Sequence, residues 1–403
     1  MNVAIIGGGA AGFFAAIQVK ENYPQATVSI LEKSNKLLAK VKVSGGGRCN
    51  VTNGCERTSD LVKGYPRGAN KLKKAFREFD NHKMQQWLRN RGVELKIEED
   101  GRVFPASNDS QTIINCFMKE AERLNINIVN RCEVNRISSQ GDRIVLSSNT
   151  HGDIVYDKII IATGGSPKRS GLDWLEALGH SIEEPVPSLF TFNMPNEAIT
   201  KLMGTVVENA IVSVQGTKLK SEGPLLITHW GMSGPAVLKL SAFGARDLAN
   251  KNYQFYIQVN WINEVNNEVA TQLLQNEFAK HPNKQISNIR LAGLPERLWL
   301  YLLHRIELSQ DKKVSELGKK GINRLVNILT NDVYIVNGKT TFKEEFVTCG
   351  GVSLSSVNFG TMQSLAVPGL YFSGEVLDID GITGGYNFQA AWTTAFIAGQ
   401  LRS

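Results

Sequence analysis

Apolar residues fall along this chain in short runs separated by glycine and polar clusters. Val3-Ala4-Ile5-Ile6 is a brief β-branched block of the kind buried on both faces of a parallel sheet. Gly7 to Gly12 follows, and then a pattern that predicts a helix from about Ala10 to Asn22, closed near Pro24. Thr27 to Leu31 is a second strand, ending at Glu32. A long loop is expected from Lys33 to Asn53, then basic helices over Asn70–Phe79 and His82–Arg91, hairpin-like strands, and a helix over Ser110–Leu124. Ile154 to Ile161 reads as one strand feeding Ala162-Thr163-Gly164-Gly165.

The pattern changes around Pro185 and Pro187. Short strands are predicted at Leu189–Met194, Thr205–Gln215 and Leu225–Thr228, and a helix from near Ser233 to about Leu248. After a strand at Tyr253–Val259, the stretch from Val265 to Leu329 reads as mostly helical, with Glu296–Leu308 its most amphipathic part. Strand character returns at Val333–Val336 and Thr341–Val347, and again in Gly369–Gly374; a closing helix is expected from about Gly385 to Leu401. The two ends of the chain therefore read as one α/β domain, residues 1–187 and 345–403. Between them lie a β-rich insert (188–264, with a return strand at 331–344) and a helical subdomain at 265–330.

Composition narrows the classes. With 403 residues, 42% hydrophobic and 21% charged, the chain is globular and long enough for two or three domains. Its five cysteines are scattered and form no C-x-x-C pair or zinc spacing, so neither a disulfide scaffold nor a metal site is expected, and a reducing cytoplasm fits. The longest apolar stretch, Val3 to Ile17, is broken by glycines, so no membrane segment is expected. The net charge of +7 is unevenly spread: residues 33–91 hold 15 Lys+Arg against 4 Asp+Glu, leaving the rest of the chain at −4. A field so localised attracts polyanions. Lys63, Arg67, Lys71, Lys73, Lys74, Arg77 and Lys83 are the candidate RNA contacts, and the interleaved Tyr65, Phe76, Phe79 and Trp87 are open to two readings, core or stacking surface.

The strongest chemical signal is Gly7-x-Gly9-x-x-Gly12 between a strand and a helix. Gly7 permits the tight turn, Gly9 lets the backbone approach a pyrophosphate, and Gly12 lets helix and strand pack closely. The helix N-terminus then faces the negative diphosphate. Glu32, 20 residues beyond Gly12, is placed to accept ribose hydroxyls. This predicts a dinucleotide site and leaves NAD and FAD open.

Four further motifs, in order, carry a resemblance over nearly the whole chain: Ser44-Gly45-Gly46-Gly47-Arg48-Cys49-Asn50-Val51-Thr52-Asn53, Ala162-Thr163-Gly164-Gly165, Thr228 to Pro235, and Phe372 to Gly381 with Gly384-Gly385-Tyr386-Asn387-Phe388-Gln389 behind it. On these the sequence resembles the BaiN/RdsA-like flavoproteins, a branch of the two-dinucleotide-fold FAD oxidoreductases. The resemblance implies an α/β, Rossmann-like FAD-binding domain carrying the β-rich insert and helical subdomain, the insert roofing the flavin. It implies FAD as cofactor, with NADH or NADPH as a transient donor that has no glycine fingerprint of its own. The candidate cofactor set is then Gly7, Gly9, Ala11, Gly12, Glu32, Lys33, Ser44–Asn50, Val134, Ala162–Gly165, Gly374, Glu375, Asp378 and Gly384–Gln389. Arg48 would bring a fixed charge to phosphate or flavin. Glu375 and Asp378 would accept ribityl hydroxyls, and the N-terminus of the closing helix would face the flavin's pyrimidine edge.

For proton transfer the candidates are Cys49, Asn50 and His229. Arg48 beside Cys49 would favour a thiolate, although a small buried hydrophobe is an equal reading. A Cys49–Cys55 redox disulfide is set aside, because five residues intervene. Members of the resembled family are linked to reduction of uridine to dihydrouridine in large-subunit rRNA, to reduction of a steroid enone, or to oxidation of an aminoketone. The concentrated charge favours RNA. The rival readings are a small-molecule oxidase or enone reductase, and a non-enzymatic FAD-stabilised RNA-binding factor. The oligomeric state is not legible.

Overall fold

The first strand, Asn2–Ile6, is apolar and buried from Val3 onward and is paired on both sides by parallel neighbours, Ala4 opposite Ser29 on one and Ile159 on the other. Burial on both faces is why it carries no polar alternation. The computed structural model describes the chain except residues 142, 149, 290, 292 and 341–346, with only the backbone at 139 and 140. It divides into two units, residues 1–188 with 342–403, and residues 189–341.

The central sheet of the first unit has five parallel strands in the order Leu370–Phe372, Lys158–Ile161, Asn2–Ile6, Thr27–Glu32 and Asn127–Asn130. Val357–Asn358 and Gln363–Ser364 extend it as antiparallel partners. The chain steps from the first strand to Thr27–Glu32 on one side and reaches Lys158–Ile161 on the other. The order therefore reverses between Asn2–Ile6 and Lys158–Ile161, and open α/β sheets bind ligands at the carboxyl ends of such a pair.

Two apolar helices cover the sheet. Ala10–Asn22 and Tyr386–Ala398 each bury nine residues, so neither shows a polar stripe. They cross closely at Gly399, where a Cβ would lie 2.5 Å from Gln18 Cβ. Beside them Phe14, Trp87, Phe117 and Trp392 form one aromatic cluster, with Trp87 edge-on to Phe14 at 5.1 Å and Phe117 stacked on Trp392 at 5.3 Å. Tyr65, Phe76, Phe79 and Trp87 are all buried, so these rings are core and offer no stacking surface.

Three expectations change. The 33–53 loop contains a helix, Ala39–Gly47, kinked at Ser44–Gly46. The single strand expected from Ile154 to Ile161 is two, Gly152–Tyr156 in an antiparallel meander and Lys158–Ile161 in the central sheet. They part at Asp157, whose carboxylate accepts the Asn2 N–H at 2.7 Å. The helix expected from Ser233 breaks at Gly244 into Pro235–Phe243 and Ala245–Asn250. The expected strand Thr341–Val347 lies almost wholly outside the described residues; Lys339–Thr340 and Thr348–Val352 flank it.

The second unit is a seven-stranded antiparallel sheet in the order Asp332–Asn337, Gln254–Asn260, Val206–Val214, Lys220–Thr228, Gly231–Ser233, Thr191–Asn193, Lys339–Thr340. Helices Asn267–Ala279, Glu296–Arg305 and Gly318–Thr330 do not form a core of their own. Phe278, Trp299 and Leu325 share one buried cluster with Ile257 and Val259 of the sheet. A buried carboxylate, Asp332, ties this core together by accepting Trp261 Nε1 at 3.0 Å and the Tyr334 hydroxyl, with Arg305 Nε at 3.0 Å. Among the described residues, no helix is long and apolar enough to cross a membrane.

Candidate active site

The three fingerprint glycines are distinguished by what a side chain would meet. A Cβ at Gly12 would sit 1.9 Å from the Gly7 carbonyl oxygen, and one at Gly7 would sit 2.4 Å from the Ala162 carbonyl oxygen. Those two hold helix, turn and neighbouring strand in contact. A Cβ at Gly9 would meet nothing within 4 Å. Gly9 is also the N-cap of Ala10–Asn22 and supplies no side chain to its first turn. The helix thus presents bare N–H groups and its positive end to open space, the arrangement that receives a phosphate. Ala11 faces the turn after Leu370–Phe372, 2.8 Å from where a Gly374 Cβ would lie.

Glu32 orders this turn. One carboxylate oxygen accepts Gly8 N–H at 2.8 Å; the other accepts Ser34 N–H and hydroxyl, both at 2.8 Å. Lys33 beside it is exposed.

The Ser44–Asn50 loop is coiled by positive φ at Gly45 (+59°), Gly46 (+69°), Gly47 (+84°) and Cys49 (+62°). A Cβ at Gly45 would strike the Phe104 ring at 2.8 Å, whereas Gly46 and Gly47 face open space. Arg48 is not a free charge: it pairs with Glu98 at 2.7 Å and lies over the Phe104 ring. Nor does it activate Cys49. That thiol is fully buried, and burial pushes it up to about 12 against the opposing hydrogen bond with Ser44. The thiolate expectation is corrected, because burial favours the neutral thiol. Asn50 is buried and accepts Val103 N–H at 3.3 Å, pinning the loop to the strand Arg102–Pro105.

At the next strand end, Gly164 faces open space, while a Cβ at Gly165 would sit 2.5 Å from Thr348 Oγ1. Ala162 is buried and Thr163 exposed. Glu375 accepts Thr348 N–H at 2.9 Å and pairs with Lys40 at 2.6 Å. Asp378 is buried and Val134 half-buried. Two hydroxyls, Thr348 Oγ1 and Ser373 Oγ, are buried without a hydrogen-bond partner among the described residues.

The start of the closing helix is fixed by packing. A Cβ at Gly385 would lie 2.3 Å from the Thr52 backbone, at a φ of +88°. Gly384 accepts Asn53 Nδ2 at 3.0 Å; Thr52 donates to Gln389 at 2.7 Å; Asn387 clasps both N–H and carbonyl of Gly381. Tyr386 is wedged against Gly64 and Gly381, and Phe388 stacks on Trp392. Contact with the Thr52 strand, rather than ligand approach, accounts for glycine at 385.

The basic segment sorts into bound and unbound cations. Arg67 is withdrawn from the surface: its Nε donates to Asp380 at 2.5 Å, its Nη2 bonds the other carboxylate oxygen, and Asp380 is fully buried. It is corrected from RNA contact to core ion pair. Lys63 pairs with Asp60, and Lys83 donates to the carbonyls of Arg77 and Glu78. Lys71, Lys73, Lys74 and Arg77 are exposed and, among the described residues, make no side-chain ion pair or hydrogen bond. In the second unit, His229 is exposed and stands edge-on to Trp230 at 4.3 Å.

The residues fit a bound dinucleotide. Open positions at Gly9, Gly46, Gly47 and Gly164 leave the main chain accessible, and the orphaned hydroxyls of Thr348 and Ser373 lie where sheet strands end. Sequence reasoning missed Thr348 and Lys40; Ser373 and Asp380 stood in a quoted motif without a role.

Fold and site together define a Rossmann-type dinucleotide-binding domain, and the family match makes the chain an FAD-dependent oxidoreductase. The model of the HI0933-like protein Rossmann domain matches residues 1–401, and the chain belongs to that family. It is 29% identical to the ribosomal RNA dihydrouridine synthase of Escherichia coli K12, covering 98% of this chain and 96% of the relative. It is 26% identical to the 3-dehydro-bile acid delta(4,6)-reductase of Clostridium scindens, over 99% and 98%. Among solved structures, 3-ketosteroid delta1-dehydrogenase from Sterolibacterium denitrificans shares the fold at a TM-score of 0.53 and 11% identity, covering 98% of both chains. The FrdA subunit of E. coli quinol fumarate reductase does so at 0.51 and 14%, covering 99% of this chain and 69% of that one.

Proposed function

We propose that this protein reduces a uridine of large-subunit ribosomal RNA to dihydrouridine, with NADH or NADPH as the electron source. The observation that carries the RNA reading is the exposed face of Lys71, Lys73, Lys74 and Arg77, four cations that have no acidic partner among the described residues. A neutral steroid gains nothing from such a face, whereas phosphates do. A full-length relative named as a ribosomal RNA dihydrouridine synthase supports it.

FAD, when bound, supplies the hydride that adds to one carbon of the double bond. The chain's residues do the rest. The N-terminus of Ala10–Asn22, left open at Gly9, takes the diphosphate, and Glu32 holds the turn while offering a carboxylate to ribose. Gly46, Gly47 and Gly164 let the main chain lie against the cofactor, and Thr348 and Ser373 have hydroxyls to give it. The second carbon needs a proton. Cys49 is too buried to deliver one.

The test is a nucleoside map of the large-subunit rRNA from cells with and without this protein. Loss of one dihydrouridine supports the reading. An unchanged map, together with reduction of a steroid enone by the purified protein, replaces it with a small-molecule reductase.

A further inference from the structure

Outside 33–91 the chain sums to −4, yet one helix of the second unit departs from that balance. Gly318–Thr330 carries Lys319, Lys320 and Arg324 and no acidic residue. Its charges stand against the helix's own preference. Lys319 and Lys320 occupy the first turn, at the positive end of the macrodipole, and the last turn has no cation. By contrast, Lys73 and Lys74 sit in the last turn of Ala69–Ala75, where the dipole favours them. Helix stability therefore gives no reason for the placement at 319 and 320.

The same face is a shallow, open stretch of surface formed by Lys319, Lys320, Asn323, Arg324 and Asn327 of this one helix. The spacing puts 319, 323 and 327 in one row and 320 and 324 in the next. Asn323 and Asn327 are exposed, and their amides make no intramolecular hydrogen bond among the described residues. Arg324 is anchored on the Ile306 carbonyl, 4.0 Å from the exposed Glu307. Past Asn327 a groove of about 310 Å³ runs to Lys220 and Gln258. No described residue lining this surface or the groove is acidic.

Exposed lysines with uncommitted amides beside them match a single strand of RNA: lysine for phosphate, amide for base edge or 2′-hydroxyl. We infer that the Lys319–Asn327 face is a second contact for the ribosomal RNA, separate from the Lys71–Arg77 face. This rests on the proposed rRNA substrate.

The test uses the full, FAD-loaded chain and unmodified large-subunit rRNA made by transcription, with affinity measured across a salt series. Lys319→Ala/Lys320→Ala should lower the magnitude of the slope of log affinity on log salt by about 1.5, a loss of about thirtyfold near 0.1 M salt. Flavin absorbance should not change, and the melting temperature should hold or rise slightly. Lys319→Arg/Lys320→Arg should restore binding. If the unsubstituted protein binds and modifies rRNA and the alanine pair matches it in slope and affinity, this inference falls while the proposed function stands. If neither form binds rRNA, both fall.

Discussion

Arg67 and Asp380, 313 residues apart, form a two-point ion pair inside the first unit, joined by the Ser188 hydroxyl. Burial raises the Asp380 carboxyl, and Arg67 and Ser188 pull it back. Such a pair is worth little over a well-packed apolar substitute, but breaking it from one side strands a buried charge. Arg67→Ala should destabilise the flavin-binding unit by about 3–5 kcal/mol in denaturant unfolding. The salt slope of RNA binding at a temperature where the variant is folded should not move. A stable variant with a reduced slope would return Arg67 to the RNA face.

The glycine fingerprint predicts a contrast between two single methyl groups. Gly9→Ala adds a Cβ that meets no protein atom, at a φ of −91° that alanine tolerates. The apoprotein should melt within about 1 kcal/mol of the parent's stability, since an N-cap change costs about that much. FAD should bind at least tenfold more weakly. Gly12→Ala would drive its Cβ into the Gly7 carbonyl and should cost fold and flavin together. Equal FAD affinity in Gly9→Ala and the parent protein would remove the diphosphate from that turn.

Cysteine reactivity separates the two thiols flanking the 49–55 loop. With its thiol held near 12 and no exposed surface, Cys49 should resist alkylation in the native protein at about pH 7 to 9, while half-buried Cys55 reacts. Cys49→Ala should retain flavin reduction. Mass spectrometry of the labelled peptides reads the first expectation; rapid alkylation of Cys49 would contradict it.

Acid sensitivity has a named source. Hydrogen bonding to Arg123 holds Glu120 below the ordinary glutamate range; its own burial opposes this and Arg91 adds to it. A carboxylate with a depressed folded value stabilises the native state above its unfolded value, near 4.5, and that stability is lost as pH falls through the folded one. The urea midpoint should therefore drop between about pH 5 and pH 3, and Glu120→Gln should flatten the drop. An identical pH profile in the variant would discount the Glu120 cluster.

The parts of the fold legible in sequence are those written locally. The first strand, the Gly7–Gly12 turn and the helix after it need only residues within a few positions of one another. The break at Asp157 was hidden because it depends on a bond to Asn2, and the helix at Ala39 because its apolar positions are few. Counting charges located the basic segment but could not see that Asp380 neutralises Arg67, or that Trp87 and Phe79 pack on Phe14. The Arg48–Cys49 reading failed for the same reason: adjacency in sequence gave no sign of Glu98 or of complete burial.

The most direct measurement is anaerobic. The FAD-loaded protein is bleached with NADH or NADPH, and unmodified large-subunit rRNA is then added without oxygen. The yellow colour should return in proportion to RNA, with one uridine gaining the mass of two hydrogen atoms. Flavin that stays bleached with rRNA yet recovers with a steroid enone would contradict the account.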